Sequence, residues 1–296
     1  MTVTHDNLLL QARDVHFDTS QVPLHWIPGE PFATHMLNVT HLMLPGGERW
    51  FVDIYKEALP LITDERLRDD VIGFIGQEAM HATAHDGALS YLHRNGIDPT
   101  PFTQRLEWFF QVTLGDRGLT GRQRQNWLVE RLALIAAIEH LTFFLGQWVL
   151  DARGFERYDA DPGMVGLLRW HGAEEVEHRS VAFDVFQHVD GRYGRRIRAQ
   201  LIVMPMLAYL WNLGVRFLLA HDPQLEPGHK ESLRSVSRAA KKDLLPGYWR
   251  LARSSSRYFR PSFHPSQEGS TDTAVAYLAT AVPVQHATER LGAVVR

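Results

Sequence analysis

Apolar residues recur three and four apart along most of the chain, the spacing of helices that bury one face. The pattern predicts a first helix over 47–59, interrupted by Pro60. A second runs from a cap at Thr63 or Asp64 to about Arg94, where Asn95-Gly96 supplies a stop. Residues 96–127 read as a connection with short helices around 104–114 and 121–127. A third long helix covers 128–152, and Asp161-Pro162 opens a fourth that reaches about 188. Helices over 195–220 and 231–245 follow, 254–269 reads as loop, and a last short helix is expected around 273–281. Residues 1–45 read as an irregular arm, because HFDTSQVPLHWIPGEPF holds three prolines and no sustained period. The sequence shows no internal repeat and no strand alternation with hairpin turns. The expectation is an all-α chain: an arm over 1–45 packed on a bundle over 46–190, with 191–296 a helical extension of the same domain.

Composition narrows the chemistry. The chain has 296 residues, 45% of them hydrophobic, enough for a sizeable core. Its net charge of −3 gives no basic field for nucleic acid. It has no cysteine, so disulfides, thiolate sites and cysteine nucleophiles are excluded, and any metal must bind through histidine and carboxylate. The opening MTVTHDNLLLQARD lacks a basic segment followed by an apolar one, so a cytoplasmic location is the expectation. The uncharged stretch 199–215 is shorter than the roughly 20 residues of a bilayer span. It reads as a buried or interfacial helix rather than a transmembrane span, the lesser alternative, and contact of the protein with a membrane surface is the lesser expectation.

The second helix contains FIGQEAMHATAHD, in which Glu78, His81 and His85 fall on one face. The fourth contains RWHGAEEVEHRSVAFD, in which His171, Glu175 and His178 do the same. Glu48 stands on the first helix, with Glu57 nearby as a competitor. Glu139 is a solitary acid in the apolar third helix, where an unpaired carboxylate is costly. One Glu, then Glu-x-x-His, twice over, is the inventory of the dimetal carboxylate bundles, so the predicted fold is a ferritin-like four-helix bundle with extra C-terminal helices. Bridging carboxylates damp the repulsion of two close cations, and the i, i+3 spacing lets one helix supply a carboxylate and an imidazole. The proposed metal ligands are Glu48, Glu78, His81, Glu139, His171, Glu175 and His178, with His85 a further ligand or a residue behind them. Glu174 and Glu177 lack a histidine three residues on, and His140, about 100° round the helix from Glu139, reads as a residue behind the ligands or a packing residue. Glu226-Pro-Gly-His229 also matches the spacing but is set aside, since Pro-Gly does not sit inside a helix. Phe74, Phe143, Phe144, Trp170 and Phe183 are candidate pocket walls.

The segments LMLPGGERWFV, FIGQEAMHATAH, AIEHLTFFLGQW, WHGAEEVEHRSVAFDVF and YFRPSFHP resemble, in this order, a bacterial family of ferritin-like proteins named predicted metal-dependent hydrolases. The resemblance runs from about His25 to the C-terminal segment. The family's first motif looks like Phe-Pro-x-Gly-Glu; Leu44 stands here for the Phe, and Glu48 keeps its place. Locally, His171, Glu175 and His178 are similar to the ligand helix of di-iron arylamine N-oxygenases, which carry an added histidine ligand. That likeness implies oxygenase chemistry on two iron ions, with manganese, a mixed manganese–iron pair or zinc as alternatives. The expected activity is a di-iron oxidase or oxygenase acting with dioxygen on a small hydrophobic substrate. An electron-donor protein and a homodimer are compatible with it. The alternative is a hydrolase whose dinuclear centre activates water.

Overall fold

The computed structural model describes residues 10–287 except Pro227 and Lys230. The outermost residues of the expected arm and extension, 1–9 and 288–296, lie outside the described residues. The described chain is all-α, with no strand among the described residues. Four long elements form the centre: α1 (Pro31–Ala58), α2 (Glu65–Arg94), α4 (Gly121–Asp151) and the pair α6 (Pro162–His178) and α7 (Val181–Val189). α1 pairs with α2 and α4 with α6 and α7; contacts of α1 with α4 and of α2 with α6 and α7 close the bundle. The long connection between α2 and α4 carries α3 (Thr100–Trp108) and a wide turn over Phe109–Thr113. This arrangement is consistent with the ferritin-like bundle that the ligand pattern leads one to expect. Around it lie the short α5 (Gly154–Arg157), then α8 (Tyr193–His221), α9 (Leu233–Lys241), α10 (Tyr248–Tyr258) and α11 (Thr271–Thr280). α8 covers α1 and α4, and α11 packs on α6.

Local chemistry explains most of the boundaries. Asp64 caps α2 by accepting from the Leu67 N–H at 2.8 Å, and His93 and Arg94 in the last turn complement the helix dipole. Asp161 caps α6 by accepting from the Gly163 and Met164 N–H groups, with Pro162 in the first turn. The expectation for 31–46 is corrected. α1 begins at Pro31 and runs through Pro45, so much of the supposed arm is helix. Its buried face includes Thr34, His35, Asn38 and His41, which break the apolar period yet are fully buried. Asn38 accepts from the Trp26 indole at 2.8 Å, and His25 and His35 both reach Asp222 Oδ2, at 2.6 and 2.8 Å. That clasp ties the arm to the end of α8, with Asp222 shared between the two imidazoles.

Three further differences are physical. Residues 121–127 belong to α4 rather than to a separate helix. The fourth helix breaks at Arg179 and Ser180, directly after His178, where the buried Arg179 turns back to the Val176 carbonyl and to Thr271. The first five residues of the expected loop 254–269 belong to α10, which ends at Tyr258 and is held by Tyr193 on the Phe259 carbonyl at 2.6 Å.

Candidate metal centre

α1 presents Glu48, α2 presents Glu78 and His81, α4 presents Glu139, and α6 presents His171, Glu175 and His178; all seven are buried. Their ligand atoms fall into two adjoining groups. Glu78, Glu139, Glu175 and His178 place one atom each within 4.8 Å of one another, and so do Glu48, His81 and His171. His178 Nε2 lies 3.3 Å from Glu78 Oε1, 3.3 Å from Glu139 Oε2 and 3.4 Å from Glu175 Oε2. His171 Nε2 lies 2.8 Å from Glu175 Oε1 and 3.7 Å from Glu48 Oε1. His81 Nδ1 sits 3.7 Å from Glu78 and 3.9 Å from Glu175. Glu78 and Glu175 therefore reach both groups, the placement a bridging carboxylate requires.

These atoms fit cations on chemical grounds. Both oxygens of Glu48, Glu78 and Glu139, Glu175 Oε2, His81 Nδ1 and His178 Nε2 are buried without a hydrogen-bond partner. An orphaned buried polar atom costs about 1–3 kcal/mol, more when charged. So many converging from four helices make a cage for positive charge. The charge balance says the same. Burial, then Glu175 and Glu139, pushes Glu48 well above the ordinary carboxylate range, and burial with Glu139 does so for Glu78. Burial and Glu175 raise Glu139 to about 7. Burial would lower His178, but Glu175, Glu139 and Glu78 outweigh it and hold it well above the usual imidazole value. Burial would raise Glu175, but His178 and His171 hold it well below. Without a cation, protons balance the carboxylates; a metal would take their place.

The histidines are aimed by groups behind them. His81 Nε2 meets Glu174 Oε2 at 2.8 Å, and His178 Nδ1 meets Gln77 Oε1 at 3.0 Å. Each acceptor fixes a proton on the outer nitrogen and turns the other nitrogen's lone pair inward. Gln77 donates to Glu177 Oε2 at 3.0 Å. Arg13 donates to both Glu174 and Glu177 at 2.7 Å, so one guanidinium from the arm anchors both supports. Burial raises Glu174 to about 7 even so. His85 lies behind His171: its Nε2 meets His171 Nδ1 at 2.6 Å, and its Nδ1 meets His41 Nδ1 at 2.7 Å. Sequence reasoning missed Arg13, Gln77 and His41, and gave Glu174 and Glu177 no supporting role. Their signal was faint: Glu174, Glu177 and Gln77 adjoin ligand positions, but nothing local marks Arg13. Glu57 is outside the site, paired with Arg124 and Arg131. His140 faces Ser254 and Tyr258 instead.

A cavity of about 100 Å³ opens over Glu48, His171 and Glu175. Its walls are not the aromatic residues expected. Phe51 and Phe110 line it with Leu44, Ile138, Leu145 and Leu207. Phe74 packs edge-on against His178, Trp170 against His81 and onto Glu174, and Phe183 against Tyr258 and Phe263. Phe143 closes on Gly269, and Phe144 joins the core margin. A larger cavity of about 1900 Å³, roofed by α8, shares Thr40, Leu145, Leu207 and Trp211 with the smaller one.

An all-α bundle gathering a buried cluster of carboxylates and imidazoles from four helices defines a candidate metalloprotein. Residues 11–269 match the family described as "Predicted metal-dependent hydrolase", and the chain belongs to that family. No curated protein and no solved structure matches it significantly.

Proposed function

We propose that the chain is a di-iron carboxylate oxidase or oxygenase that uses dioxygen to oxidise a small hydrophobic molecule. The observation that carries this reading is the chamber over Glu48, His171 and Glu175, whose titratable lining groups are the cluster's own Glu48, Glu78, Glu139, His171 and Glu175, with His85 behind them. Its other walls are apolar save Thr40 and Thr142. Such a chamber suits dioxygen and an apolar substrate. The ligand set also has four carboxylates to three imidazoles, which suits iron or manganese better than catalytic zinc. Two irons, when bound, supply electrons for dioxygen reduction. The chain supplies the rest: Glu78 and Glu175 span the two positions, Glu48 and Glu139 serve one each, and His85 orients His171. Phe51, Phe110 and Ile138 exclude water and hold an apolar group beside Glu48. An electron-donor protein completes the proposal, because an oxygenase turnover consumes electrons that its substrate does not provide.

The family description favours a second reading, hydrolysis by a dinuclear centre that activates water. The same ligands would hold two zinc ions. A leaving group would then need a proton, and outside the cluster the chamber offers only His85, whose proton affinity burial and His171 hold well below that of an ordinary imidazole. The test loads the protein anaerobically with ferrous ion and measures its metal content and oxygen uptake. Two irons per chain, with uptake far faster than that of free ferrous ion, support the oxidase. Oxygen uptake no faster than free ferrous ion, together with ester hydrolysis by the zinc form, gives the place to the hydrolase.

A further inference from the structure

We infer that the side of the molecule built by α8 and α10 docks on an anionic lipid surface, with the large cavity opening beside it. α8 is long and apolar enough to span a membrane by length and composition, with mean hydropathy 1.6 in its most apolar stretch, yet only 28% of that stretch is buried. Its exposed residues recur at helical spacing: Leu201, Ile202, Pro205, Ala208, Tyr209 and Asn212. Leu201 and Tyr209 are 61% and 62% exposed. α10 runs antiparallel alongside: Tyr193 reaches the Phe259 carbonyl, Arg196 the Arg260 carbonyl, and Ser255 lies 3.9 Å from the Met204 sulfur. At the far end of α10, Tyr248 is exposed and lines the large cavity, and Trp249 is 87% exposed. Trp108 of α3, also exposed, lines the same cavity.

Charge selects the occupant. Residues 191–260 contain 14 Lys and Arg against 4 Asp and Glu, a surplus of ten positive charges in a chain whose net charge is −3. Arg216, Arg234, Lys241, Arg250, Arg253 and Arg260 are exposed. An apolar helical stripe flanked by exposed Trp, Tyr and Arg is the chemistry of interfacial binding. Aromatic rings sit at headgroup depth, and cations meet anionic phosphates. A second copy of the chain would bring the six exposed Arg and Lys named above against their like, which opposes a pairing of this face with itself. The cavity mouth beside the face gives a lipid-dissolved molecule a route to the chamber under Leu207 and Trp211. That last step rests on the proposed function; the docking does not.

The test is co-sedimentation of the metal-loaded full chain with vesicles of pure phosphatidylcholine or of phosphatidylcholine with one-quarter phosphatidylglycerol. Binding to the anionic vesicles should exceed that to neutral ones by at least tenfold and weaken at high salt. Trp249→Ala with Tyr209→Ala, and separately Arg250→Glu with Arg253→Glu, should each weaken it by about tenfold. Far-ultraviolet dichroism and metal content confirm that both variants fold. Absent or equal binding to the two vesicles overturns the inference. So does a dimer in sedimentation equilibrium that Tyr209→Asp dissociates, since a second copy would then cover the face. Because the readout is lipid binding, failure here is separate from failure of oxygen uptake.

Discussion

His81 and His178 owe their aim to side chains that never face the carboxylates. Arg13 holds Glu174 and Glu177, Glu174 holds His81, and Glu177 holds Gln77, which holds His178. Removing such outer support costs metal sites about 10- to 100-fold in affinity. Arg13→Ala should therefore weaken both positions by that order, read by competition with a chelating dye, while helicity stays unchanged. An affinity equal to the parent's would show that the arm plays no part in the centre. Protons give a second prediction. Glu48, Glu78 and Glu139 are raised by burial and by neighbouring carboxylates, Glu175 foremost for Glu48 and Glu139, and His178 by its carboxylates. Each binds its proton more tightly than a free group of its kind, and a cation must compete with that proton, whereas burial favours the neutral form of His81. Metal affinity should thus fall as pH drops below about 7, the value to which Glu139 is raised. Calorimetry at pH 6 in two buffers of different ionisation enthalpy should show proton release; identical heats would contradict the shifts. The ligand pattern could be read from spacing because Glu-x-x-His is a local code on a helix. Arg13 could not, because its partners are more than 150 residues away and no period marks it.

Helix packing sets the distance between the candidate ligands. α4 and α6 cross at Gly146 and Gly172, where a Cβ on Gly172 would lie 2.8 Å from the Gly146 Cα and one on Gly146 2.6 Å from the Gly172 carbonyl oxygen. Gly172 sits one turn before Glu175, so this crossing brings Glu175 toward Glu139. Gly172→Ala must push the helices apart and should cost about 1–3 kcal/mol, with lower metal content. Gly87 in α2 is the control: nothing lies within 4 Å of a Cβ there, and Gly87→Ala should stabilise by about 0.5–1 kcal/mol. Denaturant melts of the two variants check the pair; equal midpoints would deny the close crossing. Long helices with apolar faces were readable because packing and period agree in them. The start of α1 was not, because its buried face uses His35, Asn38 and His41, whose hydrogen bonds replace apolar contact. The break after His178 was hidden too, since apolar spacing continues through it into α7.

The bundle and α8 close over one charged cavity wall that Arg13 of the arm braces from behind, an arrangement that would couple folding to metal. Four carboxylates from four helices meet in an apolar core. Without cations they are neutralised by protons and by His178, at a cost in desolvation that packing alone must offset. Ions that bind only the folded cage stabilise it by mass action, about 2.7 kcal/mol per site at a hundredfold excess over the dissociation constant. Two sites give on the order of 5 kcal/mol, which for a chain of this length raises the melting midpoint by on the order of 8 °C. Differential scanning calorimetry of protein stripped by chelator and then titrated with ferrous or manganous ion should show that rise, reversed by chelator. Glu78→Ala with Glu175→Ala should abolish it, because those two carboxylates reach both groups. A midpoint that stays fixed across the titration in the parent, or that still rises fully in the double variant, would mean these side chains do not form one cage.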